Sequence, residues 1–99
     1  MRVIRKDPGQ PPELVEMENT LEALQQAVGG YIETVTFCVD AAIVCNEEGR
    51  LRRLPYNCNF MDISFVGPIL IVGVDGDEMC SLDDGNAALL LHMLGRAAP

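Results

Sequence analysis

NTLEALQQAVGGYIE, residues 19–33, decides the fold of this chain because it spells out a helix with both of its ends and then the start of a strand. Asn19 is predicted to cap the helix, and Glu22, three residues later, can reach back to the Asn19 N–H and complete a capping box. Gly29 and Gly30 are predicted to end the helix, since glycine adopts the left-handed conformation without a Cβ penalty. One apolar stripe at helical spacing is formed by Leu21, Leu24 and Val28.

The residues that follow this helix predict two strands and a hairpin. Residues 31–39 alternate β-forming side chains on two faces and give the strongest strand prediction, and residues 41–45 indicate a second, buried strand. The turn at residues 46–49 is expected to close a hairpin onto residues 51–54. Residues 55–68 are expected to be irregular because asparagine, glycine and proline residues interrupt them.

The remaining strands are predicted near the two ends of the chain. Residues 1–5 indicate a short strand, and residues 13–18 alternate charged and apolar residues in a pattern that suits a hairpin with it. Residues 69–74 are a continuous apolar run typical of a central strand, and residues 79–80 are predicted to return beside it. These elements predict an α+β fold for residues 1–99 as a single domain. A small, twisted, mostly antiparallel sheet has one helix packed on a face, with a C-terminal apolar helix.

The C-terminal helix is predicted to be capped by Ser81 or Asp83 and to end near Gly95. Its residues 87–94, AALLLHML, are apolar nearly all round, and such a helix needs cover on every side. Either the helix lies in a crevice of its own domain or a second subunit covers it. We favour a homo-oligomer, because exposed apolar patches usually mark interfaces. The residues expected at this interface are Leu89, Leu90, His92 and Met93.

The composition describes an acidic, aliphatic globular protein. The chain has 99 residues, of which 48% are hydrophobic, and a formal net charge of −8. This charge argues against general nucleic-acid binding, since phosphate backbones need a basic face. No run approaches the roughly 18 apolar residues that a membrane span needs, and the N-terminus has no apolar signal region. We therefore expect no membrane association and a cytoplasmic location.

The sequence contains no pattern of nucleophiles, acids or metal ligands that indicates catalysis. None of the four cysteines forms a CxxC pair, and the lone His92 is distant from them, so neither a metal site nor a cofactor is predicted. The acids of residues 75–84 lack the spacing of a calcium loop and fit a turn before a helix N-terminus. His92 has no sequence partner that would make it a general base. We therefore expect a protein that is not an enzyme.

The segment from Asn46 to Asn59 is the most site-like part of the sequence. It places arginine, tyrosine and asparagine side chains around Pro55 on a loop, and ligands often bind at such loops. Arginine forks suit phosphate or carboxylate groups, and a tyrosine ring can stack on a base. The alternative is an ordinary hydrated loop at the sheet edge. The residues expected to bind a ligand are Arg50, Arg52, Arg53, Tyr56 and Asn57, together with Tyr31.

Three segments taken together resemble a known family. They are NTLEALQQAVGGYIE (residues 19–33), CNEEGRLRRLPYN (45–57) and DISFVGPILIVGVDGDEMCSLDD (62–84). From Arg2 to about Asp84 the chain resembles the family of short phage and mobile-element proteins called domain of unknown function 3846. The resemblance implies a phage or mobile element in the bacterial cytoplasm as the setting, and it implies no established chemistry.

These observations predict a non-enzymatic binding protein of a phage or mobile element. In the first version, an oligomer counters host defence by capturing a small anionic, nucleotide-type ligand in pockets lined by the loop arginines and Asn57. In the second version, the acidic surface docks on a basic host defence protein and inhibits it. In the third version, the chain is a structural accessory protein.

Overall fold

The computed structural model describes residues 1–97, which form eight strands and two helices. In chain order the elements are β1 (Arg2–Lys6), β2 (Glu13–Glu16), α1 (Leu21–Val28), β3 (Ile32–Cys38), β4 (Ala41–Asn46), β5 (Tyr56–Phe60), β6 (Ile63–Val66), β7 (Ile69–Asp75), β8 (Glu78–Cys80) and α2 (Asp84–Ala97). The strand pairs of these residues are antiparallel, which confirms the predicted α+β fold with a mostly antiparallel sheet.

The main sheet has the strand order β2-β1-β7-β4-β3, with β8 paired to the end of β7. β7 is a central strand with a buried apolar run, as predicted from residues 69–74. The predicted hairpin of β1 with β2 and the predicted return strand β8 are both present. The chain at Ser81 passes β7 so closely that a Cβ at Gly73 would lie 2.4 Å from the Ser81 carbonyl oxygen. This approach explains a glycine inside a buried strand.

Helix α1 covers one face of the main sheet. The side chains that it buries against the sheet are Leu24 and Val28, whereas Leu21 of the predicted stripe is exposed. The helix is capped by Thr20, whose hydroxyl accepts a hydrogen bond from the Ala23 N–H at 3.2 Å, so the predicted Asn19 cap is wrong. Asn19 instead donates to the Met79 carbonyl on β8 at 2.8 Å. The helix ends at Gly29 with a φ of 80°, as predicted.

The second face of the sheet is covered by α2 and by the hairpin of β5 and β6. Their buried apolar side chains are Ala87, Leu90 and Leu94 from α2 and Cys58, Phe60 and Phe65 from the hairpin. The ring of Phe60 packs edge to face against Phe37 of β3, with centroids 5.6 Å apart. Asp83 caps α2, since its Oδ1 accepts a hydrogen bond from the Asn86 N–H at 2.8 Å. The helix continues to Ala97, beyond its predicted end.

The β5–β6 hairpin corrects two predictions. Residues 51–54 lie in a turn region rather than in a strand, and much of the supposedly irregular segment 55–68 forms the hairpin. Met61 and Asp62 make its two-residue turn with φ angles of 51° and 61°, the left-handed values that a type I′ turn requires. The sequence does not reveal this hairpin because its turn lacks the Asn-Gly or Asp-Gly pair that usually marks such a turn.

Candidate functional site

The connection between β4 and β5, residues 47–55, contains the three clustered arginines, and we call it the arginine loop. Its start is fixed by the buried side chain of Asn46, whose Nδ2 donates to the Val28 carbonyl of α1 at 3.1 Å. The Asn46 Oδ1 accepts a hydrogen bond from the Glu48 N–H at 2.8 Å. A Cβ at Gly30 would lie 2.9 Å from the Asn46 Nδ2, so the glycine leaves room for this amide. The loop is therefore tied to the C-terminal end of α1.

Arg52 lies at the same helix end. Its Nη1 donates to the Gly29 carbonyl at 2.9 Å, where the helix dipole is negative and the last carbonyls lack helical partners. Tyr31 follows two residues after Gly29, and its carbonyl accepts a hydrogen bond from the Glu47 N–H at 2.9 Å. The Tyr31 side chain is 68% exposed. The structure therefore brings Tyr31, which is distant in sequence from the arginines, to the base of the arginine loop.

The side chains of Arg50 and Arg53 have different surroundings. Arg50 Nη2 donates to the Ser64 carbonyl of β6 at 2.6 Å, which joins the loop to the hairpin. Arg53 is exposed and has a left-handed φ of 54°. Arg50 also borders a groove of about 350 Å³ between β3, the arginine loop and the hairpin. Because Glu33 and Glu47 line the same groove, its interior does not suit an anion.

Within the described part of the chain, the loop arginines form no ion pair with the acids near them. The ion pairs formed among the side chains and terminal amine of residues 1–95 use the N-terminal amine, Arg2 and Arg5. No carboxylate in this part of the chain lies within 4.0 Å of a guanidinium nitrogen of the arginine loop. Arg50 and Arg52 are each held by one hydrogen bond to a backbone carbonyl, which has no net charge. A guanidinium has five N–H donors, so both side chains keep donors for an anion.

Two predicted ligand residues, Tyr56 and Asn57, lie on the hairpin, and the structure buries Asn57. Asn57 is 0% exposed, and its Nδ2 donates to the Lys6 carbonyl at 2.8 Å and to the Gly67 carbonyl at 2.7 Å. The Asn57 amide is a structural link between β1 and the end of the hairpin, so we withdraw it from the candidate site. Tyr56 begins β5 opposite Val66, and its side chain is about half exposed.

The same link contains a buried lysine that the sequence does not single out. Lys6 is 0% exposed, and its ammonium donates to the Asp7 carbonyl at 3.1 Å. Burial raises the pKa of the Cys58 thiol, and the Lys6 charge opposes part of this shift. The Asn57 Oδ1 is buried without a hydrogen-bond partner among the described residues. Only the tertiary structure reveals this cluster, because Lys6 ends an ordinary strand pattern.

The four thiols differ in their burial. Cys45 and Cys58 are buried, Cys80 is half-buried and Cys38 is exposed. Burial, and to a smaller extent the Glu33 carboxylate, raises the pKa of the Cys45 thiol to about 11. The protonated thiol is a poor nucleophile and a poor metal ligand. Residues 1–97 contain no group of three or more histidine, cysteine or acidic side chains placed to hold a metal ion.

The residues of the predicted oligomer interface divide between the two sides of α2. Leu90 is buried in the core of its own chain, and Met93 is partly buried against it. Leu89, at 56% exposure, and His92 lie on the solvent side. The sheet and the β5–β6 hairpin therefore supply much of the cover that the apolar sequence of α2 requires.

A second open cleft lies on the opposite side of the sheet from α2. It has a volume of about 530 Å³ and lies between the β1–β2 hairpin and α1. Apolar residues line it together with Arg5 and Glu13, and Arg5 is paired with Asp7 at 3.0 Å. This cleft combines both signs of charge and includes none of the predicted ligand residues.

The comparisons with known proteins identify a family. The family described as Domain of unknown function (DUF3846) matches residues 1–95. No curated protein and no solved structure shows a significant match to the chain. Within residues 1–97, neither helix has the length and apolar character needed to cross a membrane.

Proposed function

The chain belongs to the DUF3846 family, and we propose that it is a non-enzymatic binding protein that captures a small anionic, nucleotide-type ligand at its arginine loop. On the sequence resemblance, we further propose a phage or mobile element in a bacterial cytoplasm as its setting and counter-defence as its purpose. The observation that carries the proposal is that Arg50, Arg52 and Arg53 form no ion pair with a carboxylate of residues 1–95.

This charge is unusual in its surroundings. The chain has 15 acidic and 7 basic residues, yet three of the basic residues lie in one four-residue stretch of the arginine loop, residues 50–53. An anion approaching such a protein is repelled at long range and is attracted only where local cations dominate. The arginine loop is therefore the favoured place for a small anion, whereas a long polyanion would meet the acidic surface around it.

The hydrogen bonds of the loop support recognition rather than chance attraction. The Gly29 and Ser64 carbonyls hold the Arg52 and Arg50 guanidinium groups from two different elements. Arginine side chains that are already ordered lose less conformational freedom on binding, which favours affinity. The exposed ring of Tyr31 at the base of the loop offers a face on which a nucleobase can stack. Phosphate recognition by arginine together with base stacking favours a nucleotide-type ligand.

A thermal-shift experiment with inorganic phosphate, nucleoside mono-, di- and triphosphates and cyclic nucleotides tests this proposal. A ligand present at about 100 times its Kd stabilises the folded chain by about 2.7 kcal/mol. For a domain of about 100 residues this raises the Tm by about 10 °C or more. We expect Arg53→Asn to weaken binding about tenfold or more, because it removes one charged hydrogen-bond donor. Asparagine is chosen because it tolerates the left-handed φ of Arg53.

Gln10→Glu is the matched control, because it lies on the exposed connection between β1 and β2 and changes the net charge by the same single unit, from −8 to −9. The control is expected to bind like the wild-type chain. Capture of a nucleotide-type ligand is refuted if no member of the panel moves the melting curve. Equal weakening in both variants would instead assign the attraction to net charge and not to the arginine loop.

The turn between β7 and β8 favours inhibition of a basic host protein as a second candidate function. Its Asp75, Asp77 and Glu78 side chains are exposed, and none of them takes part in an ion pair among the side chains of residues 1–95. A partner bound by these charges should dissociate as the salt concentration rises. Asp75→Asn with Asp77→Asn should weaken such a complex, whereas Arg53→Asn should leave it intact.

A further inference from the structure

Strand β3 forms an outer edge of the main sheet. It pairs with β4 on one side, and no strand of residues 1–97 pairs with its other side. β3 is seven residues long, as long as the central strand β7. A long open edge presents unpaired N–H and C=O groups that form a template for another strand.

The ladder between β3 and β4 determines which backbone groups face this open edge. The Tyr31 carbonyl accepts a hydrogen bond from the Glu47 N–H, so Tyr31 and Glu47 extend the ladder as a hydrogen-bonded pair. Hydrogen-bonded pairs alternate along an antiparallel ladder with pairs whose N–H and C=O groups point to the opposite side. The residues whose backbone groups point away from β4 are therefore Ile32, Thr34 and Thr36.

The other ladder of β4 gives the same alternation. The Val74 N–H donates to the Asp40 carbonyl at 2.9 Å, in the register that pairs β4 with β7. Even-numbered residues of β4 therefore bond to β7, which leaves the odd-numbered residues Ile43 and Cys45 to bond to β3. The outward direction of the Thr34 and Thr36 backbone groups thus rests on two independent ladders.

We propose that two copies of this chain pair through their β3 edges, antiparallel to each other, about a two-fold axis at Val35. This register gives all seven residues of the strand a partner and places Thr34 opposite the partner's Thr36 in both halves. The two threonine pairs exchange about four backbone hydrogen bonds. The main sheets of the two copies become one continuous sheet.

The side chains of β3 suit a second copy of the chain in this register. Thr34 and Thr36 are exposed, and threonine pairs across antiparallel strands are favourable. The two Glu33 carboxylates do not oppose each other, because four residues, or about 13 Å along the strand, separate them. A two-fold axis at Glu33 would instead place them directly opposite each other, and like charges in such pairs are destabilising.

The ends of the strand carry exposed apolar side chains. Tyr31 is 68% exposed and Val39 is 91% exposed, and the axis at Val35 brings each Tyr31 toward the partner's Val39. The irregularity in the β3–β4 ladder lies between Thr36 and Cys38, outside the threonine pairs. This arrangement places the homo-oligomer contact on β3 and not on the solvent side of α2.

Sedimentation of the full chain at increasing concentration tests the proposal. The wild-type chain is expected to approach twice its 10.8 kDa mass. Since both copies carry a net charge of −8, the dimer should become more stable as salt increases. Thr34→Pro should give a monomer, because proline removes an outward N–H and leaves the ladder with β4 intact. Thr34→Val is the matched control and should remain a dimer, since valine keeps the outward backbone N–H and favours strands.

A second disruptive variant covers the case in which proline disturbs folding. Thr34→Lys with Thr36→Lys places lysine opposite lysine across the axis and should also give a folded monomer, checked by circular dichroism. A wild-type chain that stays monomeric at millimolar concentration overturns the proposal. A dimer that survives in both disruptive variants also overturns it, because the contact must then lie elsewhere. Pairing of β3 only with a strand of another protein would appear as a wild-type monomer and counts against it equally.

Dimerisation and ligand capture share Tyr31 but depend on different residues, because the threonines of β3 carry the first and the arginines of the loop carry the second. The two arginine loops follow β4 at opposite ends of the shared sheet, so neither loop contributes to the axis at Val35. We expect the Thr34→Pro monomer to keep its nucleotide-dependent thermal shift and the Arg53→Asn variant to keep its dimer mass. A wild-type chain that shows one of the two properties without the other identifies which inference is incorrect.

Discussion

Cys45 is the residue whose environment gives a defined dependence of stability on pH. Burial and the nearby Glu33 carboxylate raise the pKa of its thiol from 9.0 to about 11. Between these values the unfolded chain loses the thiol proton while the folded chain keeps it. The free energy of unfolding therefore falls as the pH rises through this window, by about 2–3 kcal/mol in total.

Cys45→Ala is expected to remove this part of the alkaline destabilisation, although it also removes buried sulfur and lowers stability at neutral pH. Urea unfolding at about pH 8 and about pH 11 measures the difference. Val44→Ala, a buried truncation on the same strand without a titrating group, should lower stability equally at both pH values. If the free energy of unfolding of both variants falls by the same amount between the two pH values, the Cys45 thiol is not the source of the alkaline destabilisation.

Asn57 is expected to matter for stability and not for ligand binding. Asn57→Ala leaves the buried Lys6 and Gly67 carbonyls without their donors, and each loss costs about 1–3 kcal/mol. Asn59→Ala, on the exposed side of the same strand, should change the free energy of unfolding by no more than about 0.5 kcal/mol. Chemical denaturation of the two variants measures the contrast, and equal values would contradict the linking role of the Asn57 amide.

At the scale of elements, the β5–β6 turn contains conformational strain that a substitution can relieve. Met61 and Asp62 both have positive φ angles, and this costs an L-residue roughly 1–2 kcal/mol. Met61→Asn with Asp62→Gly supplies the preferred type I′ sequence and should stabilise the chain by about 1 kcal/mol. Gly76→Ala makes the opposite change at a φ of 63° with open space around it, and it should cost about 1 kcal/mol. Opposite shifts in Tm would support this reading, and a lower Tm for the doubly substituted turn would contradict it.

The same elements show what local sequence determines. The α1 end at Gly29 and the buried run of β7 depend on glycine geometry and apolar pattern, so they are predictable from sequence. The start of α1 is less predictable from sequence, because Asn19 and Thr20 are both good caps. Asn19 donates instead to the Met79 carbonyl on β8, and Thr20 caps the helix. The β5–β6 hairpin is hidden because main-chain pairing holds a turn that local propensity does not favour.

Part of the candidate site is likewise predictable from the sequence, and part depends on tertiary structure. Clustering of Arg50, Arg52 and Arg53 is visible in the sequence, and so is their placement on a loop. The role of Asn57 is not visible, because its burial depends on carbonyls from β1 and from the end of the hairpin. The position of Tyr31 beside the loop also depends on tertiary structure, through the Glu47 N–H and the packing of Asn46 under α1.

At the scale of the whole molecule, the sheet separates two apolar cores from each other. α1 covers one core, and α2 with the β5–β6 hairpin covers the other, so a chain without tryptophan still buries both faces of its sheet. We expect its acidic surface to repel polyanions, and the three arginines of the arginine loop are a local group of positive charges on that surface. Ligand capture at this loop should therefore weaken with salt, since short-range ionic hydrogen bonds carry it.

Isothermal titration of the nucleotide that gives the largest thermal shift tests the central claim most directly. We expect saturable binding to the wild-type chain and to Gln10→Glu, and about tenfold or more weaker binding to Arg53→Asn. Undiminished affinity in Arg53→Asn, or no measurable heat from any nucleotide in the wild-type chain, would contradict the assignment of an anion site to the arginine loop.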